Sequence, residues 1–266
     1  MALAQRHWQP NPFASRIARA NSSYLAYADG ALFNPVDRTR AASGAAELVH
    51  ESLRSLVLNK RFSCVGGKAA FRLGNYRFGL YPAMGSLEAT AGLARDLFTF
   101  QQERKRWDTV YATFLASFAA PVALDEVAFE SALWDQLQRL HEMDRHFHGW
   151  DPSVSDDPSR ADFSFSFGGQ AYFVVGLHAA SSRWTRRFAW PTLVFNAHEQ
   201  FEELRRKGSF KRVQEVVRTR DQLLQGSINP SLGEYGEYPE ARQYSGRAVE
   251  PDWRCPFHAG EPPQDG

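Results

Sequence analysis

A chain of 266 residues with 43% hydrophobic content and 20 Phe is long enough to bury a sizeable core and too apolar to be a disordered protein. Its net charge of +1 gives no electrostatic footprint for nucleic acid, and no apolar run approaches the roughly 18 residues a membrane span needs. The N-terminus has basic residues but no apolar segment behind them, so a secretory signal is not expected. The two cysteines, Cys64 and Cys255, form no CxxC pattern, and a cytoplasmic protein with reduced thiols is the simplest account.

Residues 1–44 read as an irregular arm, with Pro10, Pro12 and Pro35 interrupting any periodicity and one helical turn near Ile17. A helix is predicted over 45–58, where Leu48, Val49, Leu53, Leu56 and Val57 form a stripe. Residues 61–65 read as extended and are broken by Gly66-Gly67. Alternation of Tyr76, Phe78 and Leu80 predicts a strand over 75–81. Ser86 then serves as N-cap of a long helix reaching about Lys105, with Glu88 and the basic Arg104, Lys105 and Arg106 placed to suit its dipole.

A strand rich in Thr, Val, Tyr and Phe is predicted over 109–118, and Asp125 caps a helix carrying Phe129, Leu133, Leu137 and Leu140 that fades around His146. Phe163, Phe165 and Phe167 alternate with Ser164 and Ser166 ahead of Gly168-Gly169, which fits a two-residue hairpin turn. After a strand over 190–195, two helices are expected, 198–206 and 210–224, broken at Gly208. With no repeat and no clean linker, the prediction is a single α+β domain over 45–258. Its sheet is mixed and largely antiparallel with helices packed on it, and 259–266 form a disordered tail.

Four stretches bear on chemistry. In HEMDRHFH, His141, Asp144 and His148 share a helical face and could hold a metal if the helix lasts that far; a polar helix end explains the same residues and is favoured. Cys64 precedes two glycines, where backbone N–H groups or a helix N-terminus would stabilise a thiolate, although a lone cysteine is more often a small buried residue. The loop holding His178, Ser181, Ser182, Arg183, Arg186 and Arg187 suits an anion such as phosphate, a substrate carboxylate or haem propionates, and equally a solvated turn. The C-terminal stretch carries Glu234, Glu237 and Glu240, any of which could meet a cationic group, and its Tyr235, Tyr238, Tyr244, Trp253 and Phe257 argue for packing.

Three runs, FSCVGGKAAFRLGNYRFGLY, FSFSFGGQAYFVVGLHAASSRWTRRFAWPTLVFNAHEQFEELR and LLQGSINPSLGEYGEYPEARQYSGRAVEPDWRCPF, together resemble the YqcI/YcgG family over about residues 62–257. Within it they resemble the branch typified by the haem-dependent N-hydroxylase of guanitoxin biosynthesis. The chain departs from that pattern at Ser63 and Ala179, where the family has prolines. The resemblance implies haem b, O2, an external electron donor and a guanidino or amino-acid substrate. The implied activity is a monooxygenase that hydroxylates a guanidine nitrogen, and the alternative is a non-catalytic haem or small-molecule binding protein.

On that reading Cys64 is the first choice for the haem ligand, because a thiolate trans to oxygen favours O–O cleavage. His178 is the second choice and Cys255 the third. Arg183, Arg186 and Arg187 would pair with propionates or a substrate carboxylate. Glu199 or Glu240 would hold the guanidinium, and Phe173, Trp190 and Phe195 would wall the pocket against water.

Overall fold

The computed structural model describes residues 9–107, 109, 111–227 and 239–260. The N-terminal stretch forms α1 (Arg16–Asn21) and a small hairpin of β1 (Ala26–Ala28) and β2 (Ala31–Phe33). There follow α2 (Gly44–Leu58), α3 (Val65–Leu73), β3 (Tyr76–Ala83), α4 (Leu87–Arg104), β4 (Thr113–Ala120) and α5 (Glu126–Asp144). The second half holds β5 (Phe165–Phe167), β6 (Gln170–Leu177), β7 (Thr192–Ala197), α6 (His198–Arg206), α7 (Phe210–Gln225) and the short α8 (Ala241–Tyr244). Capping fixes where the long helices start. The Ser86 hydroxyl accepts from the Ala89 N–H at 3.1 Å, and the Asp125 carboxylate accepts from the Ala128 N–H at 2.7 Å, each closing an open first turn.

Five strands form one sheet in the order β3-β4-β7-β6-β5. Only β3 and β4 run parallel, joined through α4, and the other three pairs are antiparallel, so the fold is a single α+β domain with a mixed, largely antiparallel sheet. The β5–β6 hairpin turns at Gly168-Gly169, whose φ values of 64° and 69° are what a two-residue primed turn requires. Side-chain alternation along β6 divides the core. Tyr172 and Val174 join the cluster built with α4 and α5, whereas Val175 and Leu177 join the cluster beneath α2 and α3. Gly176 lies on the α5 side, where a Cβ would stand 2.6 Å from the Phe129 ring.

Three stretches differ from the sequence expectation. Residues 61–65 do not continue as a strand broken by glycines: Cys64 is the N-cap of α3, and Gly66-Gly67 lie in its first turn. The buried face of α2 runs through Ala46, Val49, His50, Leu53 and Val57, while Leu48 is exposed. The expected arm is built into the core, with Phe13, Ala18 and Tyr24 all buried and the helical turn near Ile17 present as α1. Leu25 exchanges two backbone hydrogen bonds of 2.9 Å with Phe78 and so lies along the free edge of β3. At the other end Ala259 packs against the core, and residues 261–266 of the expected tail are outside the described residues.

The close approach of α1 to α4 depends on Gly92, where a Cβ would lie 2.3 Å from the Asn21 carbonyl oxygen. Backbone cannot yield as a flexible side chain can. Gly92→Ala is therefore expected to destabilise the fold by about 1–3 kcal/mol, despite the better helix propensity of alanine. Chemical denaturation measures this, and a stabilised variant would show that α1 is not seated as described.

Candidate functional site

The apolar spacing of α6 and α7 sets those helices over the sheet face that carries Thr113, Phe173, Val175 and Asn196. They do not close down on it. A cavity of about 270 Å³ remains beneath them, near the lower end of the roughly 300–1,000 Å³ typical of small-molecule pockets. Phe201, Leu204, Phe210, Val213 and Val217 form its helical wall, and Cys64 with Gly66 and Gly67 forms one end. Glu240, just ahead of α8, and Gln243 within it close another side.

Cys64 owes its place to the start of α3. Its Sγ accepts from the Gly67 N–H at 3.3 Å, which holds the sulfur at the helix N-terminus. The residue is exposed and is one of those lining the cavity. Enclosure by protein pushes the thiol up from its ordinary value; the N–H groups of Gly67 and Gly66 and the charges of Arg186 and Lys68 pull the other way without winning. An uncoordinated Cys64 is thus a thiol at neutral pH, and binding to a metal would deprotonate it.

Glu240 is the acidic group of the cavity. Its carboxylate accepts from the Ser164 hydroxyl at 3.0 Å, and Nδ1 of His198 lies 3.7 Å from its other oxygen. Burial pushes this carboxyl up to about 7, with the Ser164 hydrogen bond and Arg205 opposing the shift. Burial also pulls His198 down, with Glu202 opposing. A carboxyl so placed can switch between acceptor and donor near neutral pH, and a bound cation would draw it back to the ionised form.

The sequence-derived candidates are divided by the fold. Cys64, Phe173 and Glu240 meet at the cavity. His178 and Phe195 lie on the opposite face of the sheet, where the imidazole stacks on Phe129 at 4.3 Å and Phe195 belongs to the α4–α5 core. Arg183 is buried in an ion pair with Asp221 of α7, and its guanidinium also donates to Ser227. Arg186 donates to the Tyr244 carbonyl at 3.0 Å and, more weakly, to that of Gly176; burial lowers its pKa to about 10. Arg187 lies over the Trp184 ring and donates to the Ser181 carbonyl. Trp190 packs beside Phe188, away from the cavity. The Glu199 carboxylate is exposed and paired with Arg104 at 2.6 Å.

Cys255 is half-buried among the C-terminal aromatics, and burial pushes its thiol up to about 12. His141 is packed edge-on against Trp150 and Phe257, while Asp144 accepts from the Gly168 N–H and pairs with His148 at 2.7 Å. Among the described residues no group of three His, Cys, Asp or Glu is arranged to hold a metal ion. Glu234, Glu237, Tyr235 and Tyr238 lie outside the described residues. Among the described residues no helix is long and apolar enough to cross a membrane.

Sequence reasoning missed His198, Asn196, Gln200 and the α6–α7 cover. The available signal was the spacing of Phe201 and Leu204, then Phe210, Val213 and Val217, which marks one apolar face on each helix. Gln200 lies on the cavity wall with its Nε2 buried and without a hydrogen-bond partner among the described residues, an unusual cost in a settled interior.

Fold and site together define a single-domain α+β protein with an apolar cavity between its sheet and a two-helix cover, a cysteine at one end and a carboxyl at the side. Residues 53–258 match the sequence profile of the YqcI/YcgG family, and the chain belongs to that family. It is 27% identical over 206 residues to the uncharacterized protein YcgG of Bacillus subtilis (strain 168), covering 74% of this chain and 80% of the relative. It is also 27% identical over 210 residues to the uncharacterized protein YqcI of the same organism, with the same coverage. No solved structure matches the chain.

Proposed function

We propose that this protein is a haem-dependent monooxygenase of the guanitoxin-type branch, which N-hydroxylates the guanidine group of an arginine-like substrate in the Cys64 cavity. The observation that carries this reading is the joint placement of Cys64 and Glu240 on one apolar cavity. The residues suit haem b on chemical grounds. A sulfur donor stands at a helix N-terminus, the adjoining Gly66 and Gly67 add no side chain of their own beside it, and the walls are largely aromatic and aliphatic. When bound, haem supplies the activation of dioxygen, with electrons from an external donor.

The chain's own residues do the rest. Cys64 would hold the iron as a thiolate, its charge supported by the Gly67 N–H. Glu240 would accept the planar guanidinium, ionising as the cation arrives. Phe173, Phe201 and Phe210 would keep water from the reacting nitrogen. Arg183 is committed to Asp221, which leaves it no role toward propionates in this arrangement.

The test is the optical spectrum of the reduced carbonyl complex of native chain, Cys64→Ala and His178→Ala after haem reconstitution. The expected result is a red-shifted band in the native protein and in His178→Ala, and its loss in Cys64→Ala. Absence of haem binding by the native chain overturns the reading. Haem binding without hydroxylated product from arginine derivatives, O2 and a reductant would identify a haem-binding protein instead.

A further inference from the structure

The cover of the cavity is held in an unusual way. Along the sixteen residues of α7 the only buried side chain is that of Asp221, a charged residue. Phe210, Val213 and Val217 are half-buried, because they face the cavity and not a packed layer. Apolar packing, the usual anchor of a surface helix, therefore contributes little here.

Among the described residues the hinge and the strongest polar ties of α7 sit near its two ends, while α3 touches it between them. At the N-terminal end α7 joins α6 through Gly208, which has φ +68° and open space where a Cβ would stand. At the C-terminal end the hydrogen bonds among the described residues run largely to the 181–187 loop. Arg183 pairs with Asp221 and donates to the Ser227 carbonyl at 2.9 Å, the Gln225 amide donates to the Ser182 carbonyl at 2.9 Å, and the Trp184 N–H donates to the Gln225 oxygen at 3.0 Å. The loop itself is fixed to the sheet, since the His178 N–H donates to the Arg186 carbonyl and the Phe188 N–H to the His178 carbonyl.

We propose that α7 is a gate over the Cys64 cavity, hinged at Gly208 and latched by the Arg183–Asp221 ion pair. The latch is polar and its release exposes two charges to water, so opening regains the hydration that closure removed. A ligand enters by that motion, and the half-buried apolar face of α7 closes over it afterwards. The basic loop that invites an anion-binding reading is thus the catch for the gate. This inference is independent of what the cavity binds.

The test uses the full chain without haem, in a Cys255→Ser background. Native protein, Asp221→Asn and the charge-exchanged Arg183→Asp/Asp221→Arg pair are compared by amide hydrogen exchange and by the rate at which a bulky maleimide modifies Cys64. In Asp221→Asn the expected result is about tenfold faster exchange in α7, with α4 and α5 unchanged, and about tenfold faster modification of Cys64. The exchanged pair should return both toward native values, and the milder Gln225→Ala should shift them in the same direction by less. Exchange that rises throughout the molecule, or Cys64 modification equally fast with the latch intact, overturns the gate.

Discussion

Above pH 7, Glu240→Gln is expected to be more stable than the native chain by up to about 3 kcal/mol, and near pH 4 the two should be alike. The sign follows from the raised carboxyl. In the fold its pKa is about 7 against 4.5 when free, so between those values the folded chain keeps a proton that the unfolded chain releases. Stability from the neutral group is fully present below pH 4.5 and is lost as the pH rises through 7. Glutamine keeps an acceptor for the Ser164 hydroxyl and has no proton to lose. His198 acts in the opposite sense, because a histidine whose pKa is lowered by burial takes stability away as the pH falls below 6.5. The comparison is therefore between the two proteins at each pH, by urea denaturation at pH 4, 6 and 8. Under the proposed function the same variant should bind a guanidino substrate about 10- to 100-fold more weakly, since a charge-assisted pair is lost. A variant steadier at pH 8 yet poorer in binding would separate the two roles; equal stability at pH 8 would show that the carboxyl is not strained by burial.

Asp96→Ala should cost about 3–5 kcal/mol, the range for removing one member of a buried charged network. Asp96 has no exposed surface, and its carboxylate accepts from the Ser22 hydroxyl and the Ser23 N–H at 2.6 Å each, from the Tyr81 hydroxyl at 2.9 Å and from Arg95 at 3.2 Å. Alanine would strand donors from the N-terminal segment, β3 and α4 at once. Tyr81→Phe, which removes one hydroxyl and no charge, should cost only about 1 kcal/mol. Comparable losses in the two variants would mean that the donors find water and that Asp96 does not organise the junction.

The elements that were legible carry both a period and a punctuation mark. In α4 and α5 the apolar spacing follows Ser86 and Asp125, and in the β5–β6 hairpin it brackets Gly168-Gly169. What misled was punctuation inside an element. Gly66-Gly67 reads as a break, yet Cys64 caps the turn they occupy and Gly74, at φ 69°, closes the helix. The cavity was less legible than the fold because Cys64, Thr113, Phe173, Asn196, Val217 and Glu240 converge only through sheet order and helix cover. The arginines of the 181–187 loop illustrate the limit of reading charge alone. Their partners are main-chain carbonyls, Ser227, the Trp184 ring and Asp221, which the sequence does not flag as theirs.

The Leu25–Phe78 pairing gives the segment ahead of the family match a task of its own. A chain trimmed to residues 53–258 would bare the β3 edge, with its row of unsatisfied N–H and C=O groups, beside the apolar sockets that Phe13 and Tyr24 fill. Such an edge is a template for strands from other molecules, so the trimmed protein should self-associate more than the intact one, which size-exclusion chromatography of the two would show. The unit of homology and the unit that closes its own sheet edge are then different lengths of the same chain.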